Sequence, residues 1–195
     1  CVEALRYLDE PVADVGQIDR RRGVLPREHD HLFRARDGMR KSNRAILVEG
    51  YMDVVSLYQA GITYAVATLG TATTPEHLKR LFRACNTVVF CFDGDRAGRA
   101  AAWKALEVAL PVISEGNFIR FLLLPTEHDP DSLVLAEGRE AFEARVQQAT
   151  PLSEYLVSEL ANRFDLSHAE GRDQFTGEAR RLLGLVSHDT YRTLL

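Results

Sequence analysis

The chain has 195 residues, 46% of them hydrophobic and 27% charged, with a formal net charge of −4. That apolar share supports a packed core and excludes a disordered tail, while apolar runs such as Ala45–Val48 and Phe121–Leu124 are far too short to cross a bilayer. The acidic balance argues weakly against nucleic acid as a partner, but the uneven charge softens that objection: residues 1–44 hold 10 Lys and Arg against 8 Asp and Glu, and residues 45–195 hold 14 against 20.

An acidic portion concentrates cations, and a basic segment beside it can grip a polyanion. No signal-peptide pattern is present, no membrane is expected as a partner, and the start at Cys1 rather than Met points to a piece of a longer protein. Cys1, Cys85 and Cys91 show no CxxC spacing, so buried reduced thiols are expected rather than a disulfide or a zinc site.

In chain order, residues 1–44 are polar and poorly periodic. Arg20-Arg21-Arg22-Gly23 reads as a loop, His29 and His31 as exposed histidines, and Leu32 to Lys41 as a short helix. From Ala45 the texture changes. Ala45–Val48 is a buried strand, followed by Glu49-Gly50 and a helix from Met52 to Ala60 with Val54, Val55, Leu57 and Tyr58 as its apolar stripe, closed by Gly61. Tyr64–Thr68 is a second strand ending at Leu69-Gly70-Thr71. Thr74 caps a helix with Pro75 at its first position, running to about Ala84. Thr87–Phe92 is a third strand, ending in Asp93-Gly94-Asp95, before an Ala-rich helix from Arg96 to about Leu110. Phe118–Leu124 is a fourth strand, followed by the acidic loop Glu127-His128-Asp129-Pro130-Asp131. The remainder is helical, with Glu140–Ala149 and Leu152–Arg163 as the clearest segments. Strands alternating with helices predict an α/β fold: a parallel sheet covered on both faces.

The carboxylates carry the functional signal. Glu49 ends the first strand and Asp53 follows one helical turn later; Asp93 and Asp95 end the third strand; Asp129 and Asp131 follow the fourth. In a parallel sheet these strand ends share one edge, the edge at which α/β proteins bind ligands. Clustered carboxylates raise one another's pKa and are relieved by a divalent cation; oxygen-only donors select Mg²⁺ or Mn²⁺ over zinc. Glu49 extends a buried apolar strand, a costly place for a charge unless it is paired or metal-bound. The chemistry implied is phosphoryl transfer.

Each acid also has a plainer role. Asp95 serves as a cap for the Arg96 helix, Asp93-Gly94 as a turn, Asp53 as a first-turn carboxylate favoured by the helix dipole, and Asp129-Pro130-Asp131 as a solvated loop. Arg96 and Arg99 stand for phosphate contacts or for local salt bridges; Gly70 and Thr71 would bring a backbone N–H and a hydroxyl to the same edge. Gly98 suits close helix packing, and Trp103 the core.

Glu49 with Asp93-x-Asp95-x-x-Gly98 has the form of the TOPRIM signature. The surrounding text narrows the likeness. Val48-Glu49-Gly50-Tyr51-Met52-Asp53-Val54, Ala67-Thr68-Leu69-Gly70-Thr71, Phe92-Asp93-Gly94-Asp95-Arg96-Ala97-Gly98 and Asp129-Pro130-Asp131 together resemble the bacterial DnaG-type primases in order and spacing, well from about Lys41 to Val157 and more loosely beyond. The resemblance implies a TOPRIM four-stranded parallel sheet followed by a small helical subdomain. It divides the chain into a remnant of a basic subdomain (residues 1–42), the TOPRIM domain (43–125), and an acidic loop with a C-terminal helical part (126–195).

It further implies an enzyme that makes RNA primers from NTPs on single-stranded DNA in the cytoplasm at the replication fork. Glu49, Asp93 and Asp95 match the family's catalytic and metal-binding acids, and Asp53, Asp129 and Asp131 its supporting acids; two Mg²⁺ or Mn²⁺ ions are expected. The replicative helicase and single-stranded-DNA-binding protein are partners of such proteins through regions outside this chain, and zinc belongs to an N-terminal module not seen here. Arg6-Tyr7-Leu8-Asp9 resembles the end of the basic subdomain with Asp where Asn is usual, and residues 10–31 fit the family poorly. Another TOPRIM enzyme, a nuclease or topoisomerase, and a non-catalytic TOPRIM interaction module are the competing readings.

Overall fold

Uninterrupted runs of aliphatic, β-branched and aromatic residues can bury both faces of a strand, and here they do so at the centre of the molecule. The computed structural model describes residues 28–68, 72–187 and 192–193, with side chains from Ala35 on. Strand β1 (Arg44–Val48) has Ala45, Ile46, Leu47 and Val48 all buried. Strand β2 (Ala65–Ala67) is short, and β3 (Thr87–Phe92) is buried from Val88 onward. Strand β4 (Phe118–Leu123) lies beside β3.

The order across the sheet is β2-β1-β3-β4, all parallel, as the alternating pattern requires. A two-residue strand, β5 (Thr150–Pro151), adds an antiparallel edge to β4. It is too short to leave a periodic signal, and Pro151, lacking an N–H, is tolerated at an edge. The Arg120 guanidinium donates to the Ala149 carbonyl at 2.9 Å and ties this edge down.

The helices start and stop where local chemistry dictates. Helix α1 (Glu28–Ser42) precedes β1 and is longer than the segment expected from Leu32. Helix α2 (Tyr51–Gln59) ends just before Gly61, whose φ of +87° closes it at no side-chain cost. Helix α3 (Pro75–Leu81) is capped by Thr74, whose hydroxyl accepts the His77 N–H at 3.3 Å; it stops before the expected Ala84 in looser turns. Helix α4 (Arg96–Ala109) follows β3. Helix α5 (Pro130–Gln147) is broken at Gly138 (φ +81°), and the Arg145 guanidinium clamps the break by donating to both Glu137 carboxylate oxygens at 2.7 and 2.8 Å. Helices α6 (Leu152–Arg163) and α7 (Ala169–Leu183) complete the fold.

Strand alternation sorts the layers. Phe90 and Phe92 share one face; Phe121, paired in register with Phe90, stacks on it at 5.3 Å, and Tyr155 of α6 stacks on Phe121 at 4.2 Å. Helix α4 packs against β3 and β4, and Trp103, one of its residues, is buried beneath the Arg163 guanidinium at 3.6 Å. Cys91 points the other way and senses Asp53, which places α2 on the opposite face, where it packs against α5. From β1 the chain goes out to β2 and then returns past β1 to β3. The reversal opens a crevice beyond the carboxyl ends of β1 and β3.

Candidate functional site

Four short segments rim that crevice. Glu49 is the first residue after β1. Asp53 sits in the first turn of α2, and its Oδ2 accepts the Gly50 N–H at 3.0 Å, so the carboxylate is held over the strand end by the helix it starts. Asp93 follows β3. Gly94 is required by close approach: a β-carbon there would lie 1.9 Å from the Leu124 carbonyl oxygen. Asp95 caps α4 by accepting the Gly98 N–H at 2.7 Å. Asp129 caps α5, accepting the Ser132 N–H at 2.8 Å while the Ser132 hydroxyl accepts the Asp129 N–H at 3.1 Å.

The acids sense one another. Partial loss of hydration raises the Glu49 carboxyl above the usual value, and the charges of Asp93, Asp53 and Asp95 push it further. Asp93 is raised first by burial and then by Asp129 and Asp95. Asp53 is raised by burial and by Asp129 and Asp93, against the opposing pull of the Gly50 and Asp131 backbone N–H groups. Asp129 goes the other way, lowered by its hydrogen bonds to Ser132. The Arg ion pairs described elsewhere in the molecule go to Glu107, Glu137, Glu143, Glu159 and Glu178 rather than to these acids. The influences on Glu49, Asp53 and Asp93 include no Lys or Arg charge, and the repulsion among these acids raises all three.

Several expectations change. Glu49 is exposed by surface area rather than fully buried, so the charge cost expected of it is reduced to a partial loss of hydration, which together with the charges of Asp93, Asp53 and Asp95 raises its carboxyl. The segment expected as a solvated acidic loop becomes helical from Pro130, and Asp131 meets Asp53 through its backbone N–H. The Asp129-Pro130-x-Ser132 pattern is legible by the rule that identified Thr74-Pro75, and it was the signal for a cap. Arg99 lies 3.9 Å from Glu159 of α6, the salt-bridge alternative, while Arg96 is exposed. Gly70 and Thr71 lie outside the described residues, as do residues 1–27 and the side chains of His29 and His31. Cys85 and Cys91 are buried free thiols, as expected, with burial pushing the Cys85 thiol up to about 12.

The donor set suits a hard divalent cation: carboxylate oxygens alone, three of them raised by burial and mutual charge. Asp95 and Asp129 each spend an oxygen on a helix start, while Asp53 accepts from both the Gly50 and the Asp131 backbone N–H groups. As the side chains stand, no three His, Cys, Asp or Glu among the described residues are gathered into a ready metal cage. Mg²⁺ fits such a rim, since it binds through one or two carboxylates, keeps several waters, and takes its other ligands from substrate phosphates.

The Toprim-like family matches residues 46–134. The chain is 48% identical over 190 residues to the DNA primase of Escherichia coli (strain K12), a match that covers 97% of this chain and 32% of that protein. It is 51% identical, with a TM-score of 0.78, to the DnaG primase catalytic domain solved bound to ssDNA, over 84% of this chain and 53% of that one. A DNA primase domain from Pseudomonas aeruginosa is 50% identical with a TM-score of 0.80, over 84% and 51%. The chain thus spans about a third of the length of the curated relatives it matches.

Proposed function

Because this chain belongs to the bacterial DnaG-type primases and carries the TOPRIM part of their catalytic core, we propose that it supplies the carboxylate rim at which NTPs are joined into an RNA primer on single-stranded DNA. Glu49, Asp93 and Asp95 are the catalytic, metal-holding acids in this reading, with Mg²⁺ or Mn²⁺, two ions in all, as the cofactor. Asp53 and Asp129 complete the negative field, and the Asp131 carboxylate stands at its edge. When bound, the ions supply Lewis-acid chemistry, making the primer 3′-hydroxyl a better nucleophile and stabilising charge on the departing pyrophosphate.

The chain's own part is placement. Strand ends fix Glu49 and Asp93, and the caps at Asp53 and Asp95 fix the rotamers of two more acids. The observation that carries the reading is the gathering of Glu49, Asp53 and Asp93 beyond the ends of β1 and β3, close enough that burial and one another's charge raise all three. Such repulsion suits a site whose counter-charge arrives with its substrate.

Arg96, exposed in the first turn of α4, keeps the role of phosphate contact, as do Gly70 and Thr71, as a sequence-based proposal. The template is single-stranded DNA and the monomers are NTPs. The replicative helicase and single-stranded-DNA-binding protein are proposed partners of other parts of the full-length protein, which would act in the cytoplasm at the replication fork. No helix among the described residues is long and apolar enough to cross a membrane. We divide the chain as the sequence suggested, at about residues 42 and 125, with α5 and β5 of the last part completing the sheet layers.

Template-directed primer synthesis by the full-length parent tests this. Asp93→Asn should lower the rate by roughly 100-fold or more, the scale of losing a few kcal/mol of charge stabilisation in the transition state. Unchanged synthesis would end the proposal, and metal-dependent cleavage of the template in place of synthesis would favour a nuclease.

A further inference from the structure

Helix α4 is tied along one side to the layer formed by α6 and α7. Arg99, Trp103 and Glu107 follow one another at four-residue spacing, so they stand in a row on that helix. Each meets a charged side chain of the layer. Arg99 lies 3.9 Å from Glu159, the Arg163 guanidinium lies 3.6 Å from the centre of the Trp103 ring, and Arg181 donates to Glu107 at 2.6 Å. Glu159 and Arg163 are themselves four apart on α6, and Arg181 comes from α7. The three contacts span about 12 Å of helix.

The order of charges specifies a register. Moved one turn along α6, Arg99 would face Arg163 in one direction, and the Trp103 ring would face Glu159 in the other. Like charges repel, and the face of an aromatic ring repels an anion. The two ion pairs add little to stability, because Arg99 and Arg181 stay about half-exposed. Their effect is on position. The buried side of α4 includes Gly98, Ala102, Ala105 and Ala109, which let the helix approach closely but form shallow ridges that resist sliding weakly.

The position of α4 matters because of what it carries. Asp95 is its cap, and Gly98 in its first turn rests against the Asp93 carbonyl. A shift of α4 along its axis therefore moves both acids together. We propose that Arg163 is a positioning residue for the acidic rim: stacked on Trp103, with the Arg99–Glu159 and Glu107–Arg181 pairs on either side, it holds α4 where Asp93 and Asp95 share an ion with Glu49. The inference rests on the metal-site reading above and adds to it a role for the helical layer. Such coupling runs both ways. Loss of the stack weakens the ion, and an ion that settles Asp93 and Asp95 changes the seating of Trp103 under Arg163.

Trp103 is the single tryptophan of the chain, so its fluorescence reports this contact without a label. On the full chain, Mg²⁺ is titrated against Trp103 emission and Mn²⁺ by calorimetry. The proteins are the unaltered chain, Arg163→Gln, Arg163→Lys, and Glu107→Gln, which breaks a different contact of the row. The unaltered protein should show a saturable change in Trp103 emission with Mg²⁺. Arg163→Gln should weaken Mn²⁺ about fivefold, the low end of coupling between sites, and abolish the emission response, with Tm within about 4 °C of the unaltered value. Lysine keeps the charge without the planar stack, so Arg163→Lys should fall between the two. Glu107→Gln should weaken Mn²⁺ in the same direction, and it decides the matter by the same readings if Arg163→Gln does not fold. Equal Mn²⁺ affinity in all the folded proteins, or Trp103 emission indifferent to Mg²⁺ in the unaltered one, overturns the positioning role while the metal reading stands. Failure of the unaltered protein to bind Mn²⁺ at all sinks the metal reading, and this inference with it.

Discussion

Gly98 stands so close to Asp93 that a β-carbon on it would lie 2.1 Å from the Asp93 carbonyl oxygen. The glycine therefore sets how tightly the first turn of α4 sits on the end of β3, and through that contact it sets the height of both Asp93 and Asp95. Alanine at a helical position normally gains about 1 kcal/mol over glycine. Here the clash is with backbone, which cannot swing aside, so Gly98→Ala should give a net loss of about 1–3 kcal/mol, the scale of overpacking. A lower urea midpoint with unchanged slope is expected; a stabilised variant would show that α4 does not depend on this contact.

Asp95 has two roles that substitution can separate. Its Oδ1 accepts the Gly98 N–H, a role an asparagine oxygen can fill. Asp95→Asn should keep stability within about 0.5 kcal/mol, in the range of a tolerated surface change, yet weaken Mn²⁺ binding measured by titration. Asp95→Ala should lose Mn²⁺ and also about 1 kcal/mol of stability with the cap. Equal Mn²⁺ affinity in the wild type and the asparagine variant would reduce Asp95 to a cap.

The rim makes the metal-free protein sensitive to pH in a defined direction. Glu49, Asp53 and Asp93 have carboxyls raised above the ordinary values of 4.5 and 3.8. A raised group binds its proton more tightly in the folded state, so its contribution is fully present below the ordinary value and is lost as pH climbs through the raised one. Without divalent ions, these three groups should lower thermal stability as pH rises from about 4 through the raised values. Exposure of Glu49 to solvent keeps its share small. Saturating Mg²⁺ near neutral pH should restore roughly 2–4 °C in Tm, about 1 kcal/mol for a domain of this size. Asp93→Asn should raise the metal-free Tm and blunt the Mg²⁺ effect; a variant as responsive to Mg²⁺ as the wild type would place the ion elsewhere.

Tyr155 offers a check on the helical layer that covers the sheet. Its ring stacks on Phe121, but its hydroxyl is buried with no hydrogen-bond partner. Burial pushes that hydroxyl up to about 12. Tyr155→Phe keeps the stack and removes an unsatisfied donor, so it should be neutral or stabilising by about 1 kcal/mol. Tyr155→Ala should cost about 3–5 kcal/mol as a large aromatic is deleted from a packed site. Chemical denaturation of both variants reads the difference.

The sequence by itself determined the elements whose signals are local. Strand β3 has the predicted limits, and α6 likewise, because a continuous apolar run and a helical stripe are each complete within a few residues. The stops at Gly61 and the start at Thr74-Pro75 were legible for the same reason, since a cap satisfies hydrogen bonds only to its immediate neighbours. The six acids could be named because each follows a strand, and parallel strands end on one side.

Only the tertiary structure decided what those acids feel. That Glu49 faces solvent, that Asp53 is coupled to Asp129, and that Asp131 contributes its backbone N–H all depend on the order β2-β1-β3-β4 and on α2 lying against α5. The same holds for the contacts of Arg99, Trp103 and Glu107 with the helical layer and for the two-residue strand at Thr150. Such couplings and contacts are set by distances between segments far apart in the chain. Residue periodicity carries no record of those distances until the sheet has closed.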